Sequence, residues 1–544
     1  MHMRPRSQIE SFTLSAAGID ACAAWMDAVL PGAGPDRKSC LRVRLLAEEL
    51  LLRMQEHLGE QTPVTAALDA RVGRAVLRLE MEGPAFNPLS ETAEALGEWN
   101  SSLLTAIGLR PRYSFAGGKN TLRLSVPQKQ MAPVIKMLLC FAIGVAAGVL
   151  GLWLLPQTVR EVYCAAALQG AFELWTRVLN AASAPIIFLM TLTTMLNAGA
   201  ITRQGGSSVG VVGRYLVFTL LMIVAALVGV WPVLSGGQGG TVLEDSWQQA
   251  LSGLVPGNIV EPFLDSDTPQ LLLLAFPLGA ALIAAGDHAK LLRRGVREIN
   301  MVGTLIAGWL SNLIPFVAGL FLCLEIWNRR VRILLEMWKP LALSFGAAAL
   351  LMLLAVLWFA LRMKVGVLPV LQKLSAPFLT ALRGAALDET METAARTCTR
   401  RLGVDSNYAG VSLPQGMVLY MPVSAIGTLI FTMYLLNVFQ IRLGLAWQIL
   451  TVLLVEVLFV ATPPVPGANL LAFSALFSWI GIPKEAILDA MIFDIIFGFF
   501  ASAANLTLLQ MEITQQAGRL GLLNPDILRR PVQRTKAKGG AGRA

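Results

Sequence analysis

VLPVLQKLSAPFLTALRGAALDETMETAARTCTRRL (Val367–Leu402) and WQILTVLLVEVLFVATPPVPGANLLAFSALFSWIGI (Trp447–Ile482) are the two stretches that decide how this chain folds. Each is an apolar run interrupted midway, the first at Leu382-Arg383-Gly384-Ala385 and the second at Pro463-Pro464-Val465-Pro466-Gly467. Hydrocarbon offers backbone groups no hydrogen-bond partner, so broken backbone at membrane depth is tolerated only where protein buries it or it lines a polar cavity. Interrupted segments in matching places of two halves point to a transporter's binding site. The pair therefore predicts a membrane protein that moves a small solute.

Bulk composition agrees. Of 544 residues, 55% are hydrophobic and only 15% are charged, too apolar for a soluble domain of this size. The net charge of +9 gathers beside hydrophobic ends and in the tail (Arg529, Arg530, Arg534, Lys536, Lys538, Arg543), where membrane lipid and not nucleic acid is the natural partner. Six scattered cysteines (Cys22, Cys40, Cys140, Cys164, Cys323, Cys398) and three histidines (His2, His57, His288) have neither disulfide nor metal-ligand spacing. No metal site and no catalytic constellation follows, so an enzyme is not expected.

Residues 1–130 are mixed and charged, without the short apolar core of a signal peptide. Their alternating periods predict an α/β two-layer sandwich. Strand-like Ile9–Leu14 precedes helical Ala17–Val29, and a longer helix over about Asp36–Leu58 carries Leu41, Leu45, Leu46, Leu50 and Met54 at helical spacing. Strand-like Thr62–Asp69 and Arg74–Met81, a helix near Ser90–Leu109 and a closing Thr121–Ser125 strand complete the set.

Residues 131–515 read as the transmembrane domain and 516–544 as a basic cytoplasmic tail. Apolar spans near 134–155, 170–198, 211–235, 268–286, 298–327 and 339–363 are each long enough to cross about 30 Å of hydrocarbon. Helices over about 408–438 and 484–513 flank the second broken segment. With both interrupted segments re-entrant, eight transmembrane helices and two hairpins are expected, and both termini fall on one side. Lys129, Lys136, Arg203, Arg214, Lys290, Arg293, Arg294, Arg297, Arg362, Lys364 and Lys373 lie on that side, which the positive-inside rule makes cytoplasmic. Arg329, Arg330 and Arg332 are a local exception. The expected location is the cell inner (plasma) membrane.

The order and wording of residues 134–515 resemble the dicarboxylate/amino acid:cation symporters of the glutamate-transporter fold. Leu402-Gly403-Val404 followed by Val411-Ser412-Leu413-Pro414-Gln415-Gly416 is similar to the family's passage from first hairpin to seventh helix. Val465-Pro466-Gly467-Ala468 resembles the second hairpin tip and Gly481-Ile482-Pro483 the turn into the last helix. There Asp494 and Asn505-Leu506-Thr507 stand where the family has an aspartate and an Asn-Val-Thr. The resemblance implies a homotrimer in which the hairpins and last two helices form a transport domain that slides past a fixed scaffold.

The family's site chemistry is altered. Tyr420-Met421-Pro422-Val423-Ser424 stands where the unwound Asn-Met-Asp-Gly-Thr belongs, so a proline replaces a sodium-binding aspartate. Ala501 takes the place of the arginine that pairs with the substrate's side-chain carboxylate, and Gly498 and Leu509 those of two inner aspartates. Hard cations need several oxygen ligands, so sodium coupling and a dicarboxylate substrate are both in question, and protons become the alternative coupling ion. No other cofactor is implied.

The substrate-binding candidates are Arg383, Tyr420, Ser424, Pro466, Gly467, Ser502 and Asn505. Arg383 has two readings: a guanidinium that binds carboxylate bidentately, or a charge at the cytoplasmic mouth meeting water and lipid phosphate. Ser502 and Asn505, three apart on one helix face, are expected to face a polar cavity. The ion-coupling candidates are Tyr215, Thr219, Glu456 and Asp494. Asp494 is either a proton carrier or a carboxylate held by the hairpin backbone. Tyr215 and Thr219 resemble family ion-site positions, and interhelix hydrogen bonding explains them equally.

Residues 8–126 resemble a second family, the histidine-kinase-like ATPases of the anti-sigma serine kinase type. Glu48-Glu49-Leu50-Leu51 with His57 is similar to its Glu-Glu-Leu-Leu-x-Asn-x-x-x-His helix, and Gly83-Pro84-Ala85-Phe86-Asn87-Pro88 to its Asp-x-Gly-Pro-x-Phe-Asp-Pro loop; Gly117–Leu124 resembles its final hairpin. The implied nucleotide positions Glu49, Arg53, Met81 and Gly83 are degenerate: Arg53 stands where an asparagine holds magnesium, and Met81 where an aspartate meets adenine. No Gly-rich phosphate lid lies between Leu89 and Leu109. A binding or regulatory module with a cytoplasmic protein partner is expected in place of a kinase. Two functions are carried forward: a secondary transporter of a carboxylate or amino-acid-class solute with a regulatory domain, and a transporter-derived sensor that binds solute and signals without transport.

Overall fold

A computed structural model describes residues 7–33, 35, 37–71, 74–88, 111–126, 133–204, 208–234, 241–243, 255–265, 267–328, 336–384, 387–461 and 469–530. The chain divides into two compact units, Met1–Met131 and Ala132–Ala544. The expected Ser90–Leu109 helix, the lid interval, Pro466, Gly467, the Arg329–Arg332 cluster and most of the basic tail lie outside the described residues.

The first unit is an antiparallel sheet with helices on one face. Strands β1 (Ser7–Thr13), β2 (Pro63–Arg71), β3 (Arg74–Glu82), β4 (Arg112–Ala116) and β5 (Lys119–Val126) pair in the order β1-β2-β3-β5-β4. Along β5, Asn120, Leu122, Leu124 and Val126 are buried while their neighbours are more open, the period-two pattern of a sheet covered on one side. Gly117 and Gly118, at φ 61° and 75°, make the two-residue turn between β4 and β5. Helix α1 (Ala16–Val29) starts at Ser15, whose hydroxyl accepts from the Gly18 N–H at 3.1 Å. Helix α2 (Arg37–Leu58) buries Val43, Leu46, Ala47, Leu50, Leu51 and Met54. Leu41 and Leu45, expected on that stripe, are each 52% exposed. At about 100° per residue they fall on the opposite face from Val43, Leu50 and Met54.

The second unit is mostly helical. Helices α3 (Pro133–Leu154), α4 (Ala165–Gln204), α5 (Ser208–Leu234), α6 (Thr268–Ala284), α7 (Lys290–Trp327) and α8 (Trp338–Met363) occupy the first six predicted spans. The first interrupted segment is α9 (Val367–Leu382) and α10 (Leu387–Arg400). Helices α11 (Ser406–Leu419) and α12 (Pro422–Val438) follow, separated by Tyr420 and Met421. The second interrupted segment is α13 (Leu445–Ala461) and α14 (Asn469–Ile480), and the long α15 (Ile487–Arg519) comes after it. Among the described residues, six helical stretches are long and apolar enough to span a membrane, with α11 and α12 counted as one. Helices α5 and α6 contribute only shorter apolar stretches, Gly213–Gly229 and Pro269–Ala284. The multi-pass membrane character holds, and six of the expected crossings meet this measure among the described residues.

Helices α3 and α7 touch backbone to backbone. A Cβ on Gly144 would lie 2.1 Å from the Gly319 carbonyl oxygen, so only glycine allows this approach. Trp327 closes the contact by donating its indole N–H to the Gly148 carbonyl at 3.0 Å. Past α15, the chain returns to the foot of the first interrupted segment: Asn524 N–H donates to the Gly403 carbonyl at 2.8 Å and Lys373 Nζ to the Ile527 carbonyl at 3.0 Å.

Burial, followed by the nearby Glu10 and Glu48 charges, pushes the Cys22 thiol up from 9.0 to about 12. The folded state thus keeps a proton that the unfolded chain releases. Its stabilising contribution is complete below pH 9 and is lost as pH rises from about 9 toward 12. A thiol-alkylating reagent at pH 8 should leave Cys22 unmodified until the protein is denatured. Alkaline unfolding curves should also fall less steeply for Cys22→Ala than for the native sequence; coincident curves would refute this.

Candidate functional site

Three backbone interruptions of the second unit converge on one helix. Gly384 turns the first hairpin at φ 65°, and a Cβ there would lie 2.5 Å from Phe499 of α15 and 3.3 Å from Pro133. Asn469 opens α14 and donates its side-chain amide to Asp494 Oδ1 on α15 at 2.6 Å. At the third break, Asn505 Oδ1 accepts from the Val423 N–H at 2.8 Å, and Asn505 Nδ2 donates to Ser424 Oγ at 2.9 Å. From Asp494 to Asn505 is about 16 Å of helix at 1.5 Å per residue.

The α11–α12 break is shaped by its own residues. Met421 caps α12 with non-helical backbone, and Pro422 at the first helical position has no N–H to leave unsatisfied. Val423 is then the first residue needing a partner, and Asn505 supplies it. Tyr420 is buried, with its ring 5.3 Å from that of Tyr215 and its hydroxyl 3.9 Å from Met222 Sδ.

The predicted site residues therefore separate. Ser424 and Asn505 are joined by a hydrogen bond, and Tyr420 and Tyr215 by ring contact. Asp494 is buried and held by a side chain of the second hairpin's return arm, where a hairpin-backbone partner was one expectation. Thr219 donates its hydroxyl to the Tyr215 carbonyl of its own helix at 2.9 Å. Ser502 is exposed while Asn505 is buried, so the two do not share a cavity. Arg383 caps α9 by its backbone N–H to the Leu379 carbonyl at 3.2 Å, and its side chain is exposed with no acidic partner among the described residues. Its neighbour Gly384 touches Pro133, the first residue of α3, so Arg383 lies level with the end of a span. Glu456 is buried in α13 with neither carboxyl oxygen hydrogen-bonded among the described residues.

Sequence reasoning missed a buried polar cluster on α5 and α15. Arg214 and Glu512 form an ion pair, and Gln515, Gln516 and Tyr408 join it. A run of buried polar residues at the end of α15 (Gln510, Glu512, Thr514, Gln515, Gln516) was the available signal.

With this geometry in place, comparison with known families is decisive. The profile of the sodium:dicarboxylate symporter family matches residues 134–509. The chain belongs to that family. Its members are transporters, which places this symporter-family chain in a membrane with a small-molecule solute. Among curated proteins none matches it.

In the first unit, Arg53 donates to Glu49 Oε1 at 2.9 and 3.1 Å, one turn apart on α2. Met81 is buried in the core, and Gly83 at φ 147° donates its N–H to the Gly118 carbonyl at 3.1 Å. Buried Asn120 pins the Gly83–Pro88 loop, with Oδ1 accepting from the Phe86 N–H at 3.1 Å and from the Tyr113 hydroxyl at 2.7 Å, and Nδ2 donating to the Pro84 carbonyl at 3.0 Å.

Asn505→Ala strips the Val423 N–H and Ser424 of their buried partner. The expected cost is about 1–3 kcal/mol, read as a lower unfolding temperature of the detergent-purified protein. An unchanged midpoint would show that the break does not depend on this clamp.

Proposed function

We propose that this protein is a secondary active transporter of a small carboxylate or amino-acid-class solute, working by an elevator movement of its hairpins and last two helices. The supporting observation is the convergence of three interruptions on the Asp494–Asn505 stretch of α15. Broken backbone is costly in a membrane and collects where a solute is handled. The arrangement we propose is eight crossings and two re-entrant hairpins, a homotrimer, and both termini in the cytoplasm of a plasma (inner) membrane. The first unit acts as a regulatory module that binds a cytoplasmic protein and not ATP.

Coupling in this reading depends little on sodium. Pro422, Gly498 and Leu509 stand where the resemblance implies carboxylates, and the Val423–Asn505 bond satisfies the break without an ion. Protons are the alternative. Glu456 sits buried without a hydrogen-bond partner among the described residues, and it is the acidic group proposed to exchange the proton. Arg383, exposed beside the hairpin turn and without an acidic partner among the described residues, is the group proposed to meet the solute's carboxylate. The sensor reading, solute binding without movement, is favoured by the same loss of ion ligands.

Uptake of a mixture of labelled amino acids and carboxylates into proteoliposomes separates these. An inward proton gradient should drive accumulation and a sodium gradient should add less than about twofold. Arg383→Ala should abolish uptake of anionic solutes in a well-folded protein. Strong sodium stimulation, or native uptake by Arg383→Ala, would overturn the coupling and recognition proposals respectively; binding without uptake would favour the sensor.

Calorimetry on the purified full-length protein tests the first unit. No magnesium-dependent ATP binding in the micromolar range is expected, since Met81 offers adenine no acceptor and Arg53 cannot ligate magnesium. Micromolar binding would show the module to be a working nucleotide site.

A further inference from the structure

Arg214 and Glu512, 298 positions apart in sequence, meet inside the membrane unit with side chains 11% and 7% exposed. Arg214 Nη2 donates to Glu512 Oε2 at 3.2 Å and reaches Gln515 Oε1 at 3.5 Å. Its guanidinium carbon stands 5.0 Å from the centre of the Phe218 ring, within cation–π range. The other carboxylate oxygen, Glu512 Oε1, accepts from Gln516 Nε2 at 3.0 Å, and Gln516 Oε1 in turn accepts from the Tyr408 hydroxyl at 3.0 Å. Beside the pair lies a cavity of about 200 Å³ bounded by Phe218, Met222, Trp358, Tyr420, Glu512 and Gln515.

A carboxylate, an amide oxygen and an aromatic face converging on one point form a cation-binding set. Both side chains are nearly buried, so a lone Glu512 carboxylate would be poorly hydrated and requires a positive partner. The chain itself supplies one. We infer that Arg214 is a built-in cation: its guanidinium fills a monovalent-cation site formed by Glu512, Gln515 and Phe218, next to the Tyr420 break and the cavity.

Tethering decides the competition. A side chain anchored on α5 presents its charge at a high effective concentration, which a free ion at ordinary concentrations does not match. The fixed charge also joins α5 to α15 across the buried cluster, work that an exchangeable ion would do only when bound. Removing the guanidinium while keeping Glu512 should therefore create a vacant site for a small planar cation, with the adjoining cavity as added room. The inference rests on the transporter reading only in its meaning for coupling, since occupancy is read from stability with no transported solute present.

The test uses full-length protein in detergent. Arg214→Ala should lower the unfolding temperature by several degrees. Guanidinium chloride at 1–20 mM, on the order of a hundredfold below denaturing concentrations, should restore most of the loss, whereas choline chloride should not. The native protein and the double variant Arg214→Ala/Glu512→Gln should show no such response. If Arg214→Ala does not yield folded protein, Arg214→Gln takes its place with the same expectation. A folded single variant indifferent to guanidinium, or an equal response in the native protein or the double variant, would overturn the inference. Failure of uptake in proteoliposomes leaves these outcomes unchanged, so the two proposals fall separately.

Discussion

A helix broken inside a membrane leaves N–H and carbonyl groups that hydrocarbon cannot satisfy, and at the α11–α12 break of this chain α15 supplies the missing acceptor. Asn505 accepts from the first N–H of α12 that needs a partner, Asp494 holds the side chain that opens α14, and Phe499 backs the glycine turn of the first hairpin. The same helix carries the aromatic packing between them. Phe493 stacks on Phe431 at 4.5 Å, and Phe497 and Phe500 lie 5.2 Å from Phe345. The described residues at these interruptions share one neighbour because a single uninterrupted helix runs past them.

Much of this was legible in sequence because it rests on local signals. Interrupted apolar runs, helix-length spans and the Gly-Gly turn of the β4–β5 hairpin need only period, length and turn chemistry. What escaped is tertiary in origin. Period alone put Leu41 and Leu45 of α2 into the core, because leucine looks alike on either face until the sheet fixes which side is covered. The Arg214–Glu512 pair joins residues on helices that nothing local brings together. Arg214 was visible only as one more cytoplasmic positive charge, although its partner makes it a buried one. Ser502 and Asn505 have the spacing of neighbours, yet one is exposed and the other clamps a helix start.

The first unit is likewise held by its own side chains. Its core rests on apolar residues of α1, α2 and the covered sheet face, and Asn120 ties the Gly83–Pro88 loop through three hydrogen bonds. His57 stacks on Phe86 with ring centres 3.6 Å apart, fixing α2 to that loop. These contacts keep the loop in place without a ligand, and the Arg53–Glu49 pair leaves the acid engaged.

The membrane unit reaches a comparable self-sufficiency at the α11–α12 break. A proline at the first helical position lowers the number of donors the break exposes, and Asn505 with Ser424 absorbs the next. One face of the break is thereby closed by side chains, while Tyr420 turns toward Tyr215, Met222 and the cavity beside Glu512. Here Arg214 balances the Glu512 charge, and the side-chain amide of Asn505 satisfies the broken backbone. The consequence is mechanical as well as electrostatic. Contacts made by the chain's own groups need no bound ion to form, so Asn505 and the Arg214–Glu512 pair tie α15 to the α11–α12 break and to α5 in this structure.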